Sequence, residues 1–179
     1  ASVAAAVAAA RAKGCDGVVI ALLHAWREPA HEIEVARIVA ELAPELFVFR
    51  STEVWPAIRE YERTSTAVLN AYVHPQVARY LERLEVTLQA AAVPAPALIT
   101  RSNGGVMTAA QGRRDCVGML LSGTACGVMG AAFVAAQAGV RDAVTLDVGG
   151  TSADIALLIG GKVQFAAGET IGGFPLFIP

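Results

Sequence analysis

Two unbroken aliphatic runs, "GVVIALL" at 17–23 and "ELFVFRS" at 45–51, flank a stretch with helical periodicity, and together they leave few folds open. Runs without polar alternation are those of strands covered on both faces. Between them, "HEIEVARIVAEL" sets Val35, Ile38, Val39 and Leu42 on one helical stripe. Ahead of them, alanine dominates residues 2–13, a helix that Gly14 would stop just beyond Arg11 and Lys13. Helix, strand, helix, strand with short connections predicts parallel pairing through crossovers, an α/β layer.

From Glu60 the pattern changes to two consecutive helices. The first, "EYERTSTAVLNAYV", runs up to His74, and Pro75 opens the second, since proline disfavours helical geometry in its predecessor. That second helix carries Val77, Tyr80, Leu81, Leu84 and Leu88 on one stripe, with Arg79, Glu82, Arg83 and Glu85 mostly turned away. "EYER" reads as a solvated helix start with a Glu60–Arg63 pair. A strand at "ALITR", a glycine turn, an irregular or briefly helical piece and a Ser-capped helix "SGTACGVMGAAFVAAQAG" follow. Three strands, "AVTLDV", "ADIALLI" and "KVQFAA", complete the pattern, joined by "GGTS" and "GG" turns.

Composition excludes several classes of function. Among 179 residues, 55% are hydrophobic and 17% charged, yet no apolar run approaches the roughly 20 residues of a membrane span. The net charge of -2 is spread without a basic face, which argues against a nucleic-acid partner. Cys15, Cys116 and Cys126 form an odd, widely spaced set, as expected of reduced thiols in a cytoplasm. The chain starts at Ala1 with its basic residues after the apolar stretch, so it reads as a segment of a longer protein and not as a signal peptide.

The stretch "TLDVGGTSADIALLIGG", 145–161, carries the chemistry. Asp147 ends a strand expected to be buried, where an ionised carboxylate is expensive without compensation. Gly149 and Gly150 remove side chains at the turn, so backbone N–H groups can approach a ligand closely. Thr151 and Ser152 add hydroxyl donors, and Asp154 stands at the start of the returning strand. Together these residues make an anion cradle beside a carboxylate suited to hydrated Mg²⁺. An ordinary hairpin also uses glycines and hydroxyls, but it has no use for the acid before the turn. Gly160 and Gly161 read as such an ordinary turn.

"DVGGTSAD" resembles the phosphate-binding hairpin of the sugar kinase and actin superfamily, and more specifically that of the hydantoinase A and 5-oxoprolinase family. "IREYERTSTAVLNAYVHPQVARYLERLE", "SNGGVMTAAQ", "SGTACGVMGAA" and "GGFPLFIP" are similar to the same family. The resemblance implies ribonuclease-H-like lobes of the actin-like ATPase kind, with ATP held between one hairpin from each lobe. Residues 1–55 would end the N-terminal lobe and 56–179 begin the ATPase lobe, a fragment unable to turn over substrate alone. ATP and Mg²⁺ are the implied cofactors, and a cyclic amide the implied substrate, its ring carbonyl activated by phosphorylation before water opens the ring. Asp147 would organise the metal, directly or through water, and Asp154 would be a second metal-shell or water-orienting acid. A hydantoinase B type subunit is the implied partner. An acetone or acetophenone carboxylase subunit and a non-catalytic actin-like nucleotide switch are the alternatives.

Further candidates carry two readings each. Ser122 and Gly123 either offer free N–H groups at a helix start to a phosphate or form a conventional cap with tight packing. The family pattern has Ser-Gly-Pro there, whereas this chain has Thr124, and Cys126 where alanine or glycine is common. Ser102, Asn103 and Gly104 follow a strand, where α/β folds place ligand loops, and Asn103 suits a carbonyl or amide substrate; a plain turn would look the same. His24, near Glu28, His31 and Glu32, and His74 before Pro75 read as capping, surface or structural residues rather than metal ligands. Cys126 reads as a small packing residue.

Overall fold

A computed structural model of the chain describes residues 2–150, 153–165, 169–171 and 173–176. They form a mixed α/β structure that divides into two compact units, one made of the residues up to Gln76 together with residues 169–171 and 173–176, the other running from Val77 to Phe165.

The first unit holds α1 (Ser2–Ala12), β1 (Gly17–Ile20), α2 (Ala30–Leu42), β2 (Phe47–Arg50) and α3 (Ser51–Val54). As the aliphatic runs predict, β1 and β2 pair in parallel, from Gly17 opposite Phe47 to Ile20 opposite Arg50, with α2 as the crossover. Gly14, at φ +67°, ends α1 with Cys15 N–H donating to Ala10 O and its own N–H to Arg11 O. Val7, Val39, Ala43 and Leu46 form the core, with Val3, Val18, Val35 and Val48 packed against it. Leu42, expected on the buried stripe, is exposed. Gly17 is required by packing, because a Cβ there would fall 2.2 Å from the Phe47 ring.

The strand expected over 17–23 stops at Ile20, and the reason is a buried polar network. Glu32, Ser51 and Arg63 are each fully buried. Glu32 accepts hydrogen bonds from Leu22 N (3.0 Å), Ser51 Oγ (2.6 Å), Thr52 N (3.1 Å) and Thr52 Oγ1 (2.7 Å). Arg63 donates to Ser51 Oγ (2.9 Å), Ala57 O (3.0 Å) and Leu22 O (2.8 Å). Both backbone groups of Leu22 are thus drawn out of the ladder by side chains. "EYER" is therefore not a solvated helix start: Arg63 is interior, and Glu60 lies 3.8 Å from it as a secondary partner. Glu32 likewise is committed to this network and not to a histidine site.

The largest correction concerns Pro75. A single helix, α4 (Glu60–Ala90), runs straight through it. An interior proline loses one hydrogen bond and costs about 3 kcal/mol. Packing on both flanks offsets that cost: Ala67 and Asn70 are fully buried upstream and Leu81 downstream, and the His74 ring lies 4.8 Å from that of Phe47 and 5.0 Å from that of Phe49. Tyr80, expected on the buried stripe, is exposed.

The second unit continues with β3 (Leu98–Thr100), β4 (Val106–Thr108), α5 (Ala109–Arg114), a 3₁₀ turn (Val117–Met119), α6 (Ser122–Gln137), β5 (Ala143–Val148), β6 (Ala153–Ile159) and β7 (Lys162–Val163). β8 (Glu169–Ile171) and β9 (Phe174–Leu176) form a short antiparallel pair that groups with the first unit. β4 occupies what the sequence left irregular, and Thr108 and Gln111 cap α5 reciprocally. β5, β6 and β7 form an antiparallel meander, with β7 shorter than "KVQFAA" suggests. Gly160 and Gly161, at φ +60° and +78°, make the expected β6–β7 reversal. Among the described residues, no helix is long and apolar enough to cross a membrane.

Burial on its own would push the Glu32 carboxyl up, but the hydrogen bonds from Ser51, Leu22 and Thr52 outweigh it and hold the group below its ordinary range. A depressed carboxyl stabilises the fold above the unfolded value of 4.5 and loses that contribution as pH falls through the folded one. Glu32→Gln should therefore lower stability at pH 7 by about 1–3 kcal/mol, since an amide cannot accept all the hydrogen bonds that the carboxylate takes and buried donors are left unsatisfied. It should also flatten the acid limb of stability against pH, measured by urea unfolding at several pH values.

Candidate functional site

The site forms where the β5–β6 hairpin meets the start of α6. Asp147 pairs directly with Asp154 across the ladder, and Val148 with Ala153 closes it. Side chains alternate along a strand, so this register sends both carboxylates to the face that packs on α6, the face that also carries Ala156 and the buried Leu158. Thr124 Oγ1 donates to Asp154 Oδ2 at 3.1 Å. One helical turn on, a Cβ at Gly127 would lie 3.4 Å from Asp147 Oδ2. Both acids therefore sit against the first two turns of α6, Asp154 at the first turn, where the helix carries partial positive charge.

Asp147 is not buried, contrary to the expectation that it ends a covered strand: it is solvent-exposed, and Asp154 is half-buried. The aliphatic side chains Val144, Leu146, Val148, Ile155, Leu157 and Ile159 line the opposite, exposed face of the hairpin. Among the described residues, the Asp147 carboxylate makes no hydrogen bond or ion pair. Two carboxylates facing one another repel. An all-oxygen pair with one member free is the donor set a hard divalent cation takes.

Gly149 and Gly150 follow β5 directly, while Thr151 and Ser152 lie outside the described residues. Among the described residues, a Cβ at Gly150 would meet nothing within 4 Å, and its φ is not in the left-handed region, so packing there does not demand glycine. A backbone left bare without a steric reason suits close approach of a ligand. Gly123 is equally open. Ser122 does not cap α6: the cap is Leu121, at φ +58° with no side-chain bond, which leaves Ser122 as the first helical residue. The N–H groups of Ser122, Gly123 and Thr124 make no hydrogen bond among the described residues. Such free donors are what the anion-binding reading of this helix start requires.

Ser102, Asn103 and Gly104 lie elsewhere. Ser102 donates from both N and Oγ to Gly118 O, and Asn103 Oδ1 accepts from Gly105 N, so both side-chain oxygens serve the β3–β4 turn. Gly104, at φ +78°, abuts Met129, with a Cβ there 2.5 Å from Met129 Cγ. Met129 lies about 200° further round α6 than Gly127, so this loop and the acid pair sit on opposite faces of the helix. A cleft of about 520 Å³ runs along α6 and β5, apolar except for Thr145 and Asp147 at its wall. Thr124, singled out in the sequence only as a departure from the family pattern, and Gly127 were not expected at the acid pair; their three-residue spacing on one helix face is the signal that would have found them.

No set of three metal-binding side chains occurs among the described residues, the surroundings of His24 included. All three cysteines are free. Burial first, and Asp115 second, push the Cys116 thiol up to about 11. At pH 8, a thiol reagent should modify exposed Cys15 promptly and Cys116 at least about a hundredfold more slowly until the chain unfolds, as mass spectrometry of the labelled peptides would show.

Residues 63–179 match the Hydantoinase/oxoprolinase family. The chain is 34% identical over 94% of its length to the caprolactamase alpha subunit of Pseudomonas jessenii, of which it covers 24%. It is 30% identical to the 5-oxoprolinase of Saccharomyces cerevisiae, covering 86% of this chain and 12% of that protein. A solved nucleotide-free structure of acetone carboxylase superposes on 99% of this chain with a TM-score of 0.86 and 25% identity, and this chain covers 25% of it. The chain thus spans a quarter or less of these relatives; the caprolactamase relative is named as an alpha subunit, and a further relative, from Xanthobacter autotrophicus, as an acetone carboxylase beta subunit. With the family model covering most of its length, this chain belongs to the hydantoinase/oxoprolinase family.

Proposed function

We propose that this chain supplies one phosphate-facing hairpin of an ATP-dependent enzyme that opens the C–N bond of a cyclic amide. The observation that carries the proposal is the opposed Asp147–Asp154 pair, set against free helix-start donors and followed by Gly149 and Gly150, the second of which packing among the described residues does not require. Asp147, unpartnered among the described residues, would hold Mg²⁺ directly or through water. Backbone N–H groups at Gly149, Gly150 and Thr151 would receive phosphate oxygens, aided by Ser152 and by the helix start at Ser122 and Gly123. Asp154 would orient a water in the metal's shell. When bound, ATP would supply the phosphoryl group that activates the ring carbonyl. The full protein would have actin-like lobes and a hydantoinase B type partner; the naming of the relatives as subunits supports the second point.

A second reading, an ATP-dependent ketone carboxylase subunit, is favoured by the likeness to acetone carboxylase over nearly the whole chain. The 34% identity to the caprolactamase subunit favours the cyclic amide.

The test is ATP hydrolysis by the protein that carries these residues, with hydantoin, 5-oxoproline, a larger lactam, or a ketone plus bicarbonate. A cyclic amide should stimulate hydrolysis, and Asp147→Asn should lower the stimulated rate by about 10²–10³. Stimulation by ketone and bicarbonate alone would establish the carboxylase instead. Filament formation in nucleotide without turnover, or an unaffected Asp147→Asn variant, would overturn the enzymatic role of the hairpin.

A further inference from the structure

We infer, building on the cation-binding reading of the hairpin, that Thr124 is a positioning residue that fixes the Asp154 carboxylate and so makes the two acids unequal. Hydroxyls on helices commonly turn back on the backbone, and this chain has examples: Thr66 Oγ1 bonds Glu62 O at 2.7 Å and Ser65 Oγ bonds Tyr61 O at 2.8 Å. Thr124 does otherwise. Its hydroxyl crosses from the first turn of α6 to β6 and donates to Asp154 Oδ2 at 3.1 Å.

That bond occupies one lone pair of Oδ2 and selects one orientation of the carboxylate, leaving Oδ1 free to accept from a water. Gly127 plays the complementary part. Three residues further along the same helix face, it presents no side chain to Asp147, whose carboxylate stays unengaged among the described residues. The helix therefore tethers one acid and sets no side chain against the other. Without the tether, the two charged groups, directly opposed in the ladder, would rotate apart to relieve their repulsion, and the oxygens would no longer converge on one ion. Outer partners that orient ligating carboxylates typically change metal affinity or activity by about 10–100-fold when removed.

The experiment titrates the ¹⁵N-labelled chain with Mn²⁺ alone and follows paramagnetic broadening of the amides flanking Asp147 and Asp154. Wild type is compared with Thr124→Val, isosteric but without a donor, Thr124→Ser, which keeps the donor, and Asp147→Asn. In the Thr124→Val variant the Mn²⁺ concentration for half-broadening should rise about tenfold, while Thr124→Ser should stay within about threefold of wild type. In the protein that carries these residues, Thr124→Val should lower kcat for ATP hydrolysis with KM for ATP held within about twofold. If Thr124→Val binds Mn²⁺ as wild type does, or if Thr124→Ser is as impaired as Thr124→Val, the positioning role is wrong. If Asp147→Asn leaves the broadening unchanged, the cation-binding reading itself fails, a result distinguishable from failure of the Thr124 inference alone.

Discussion

Asp147 faces Asp154 across the β5–β6 ladder, and nearly everything about the site depends on that register. Because side chains alternate, a slip of one residue in either strand would carry its acid to the face that now holds Val144, Leu146 and Ile155 and separate the pair. Opposed carboxylates cost energy in the absence of a cation. The chain moderates this cost with the partial charge of the α6 start and with one hydroxyl bond to Asp154. The acids thus occupy the packed face of the hairpin while its aliphatic side chains lie on the open one, the reverse of what hydrophobicity alone would arrange.

In the first unit, a different polar device sets the loop geometry. Glu32 and Arg63 are joined through the Ser51 hydroxyl, and between them they satisfy both backbone groups of Leu22. A buried charge pair of this kind contributes little net stability against an apolar replacement, yet losing one member is severe. Its effect is to specify where β1 ends and how α3 and the start of α4 are held.

Local patterns were the legible part of the sequence. The parallel β1–β2 pair, the α2 crossover, the Gly14 helix stop and the β5–β6 hairpin all rest on propensity and spacing, and the structure follows them. What escaped depends on partners distant in the chain. Pro75 signals a break, and only burial on both sides of it keeps α4 whole. Arg63 looks like a surface residue until Leu22 and Ser51 are brought to it. Leu121, not Ser122, caps α6 because the preceding 3₁₀ turn delivers the chain at a left-handed residue, which no helix-start pattern encodes. Similarly, the aliphatic run around Asp147 reads as buried because sequence reports the apolar face and not which side of the hairpin α6 covers.

The most direct measurement is a structure of the protein carrying this chain with Mg²⁺ and a non-hydrolysable ATP analogue. The prediction is a metal ion held by Asp147, directly or through one water, with phosphate oxygens against the backbone of residues 149–151. Nucleotide bound elsewhere, with neither metal nor phosphate at the Asp147–Asp154 hairpin, would contradict it.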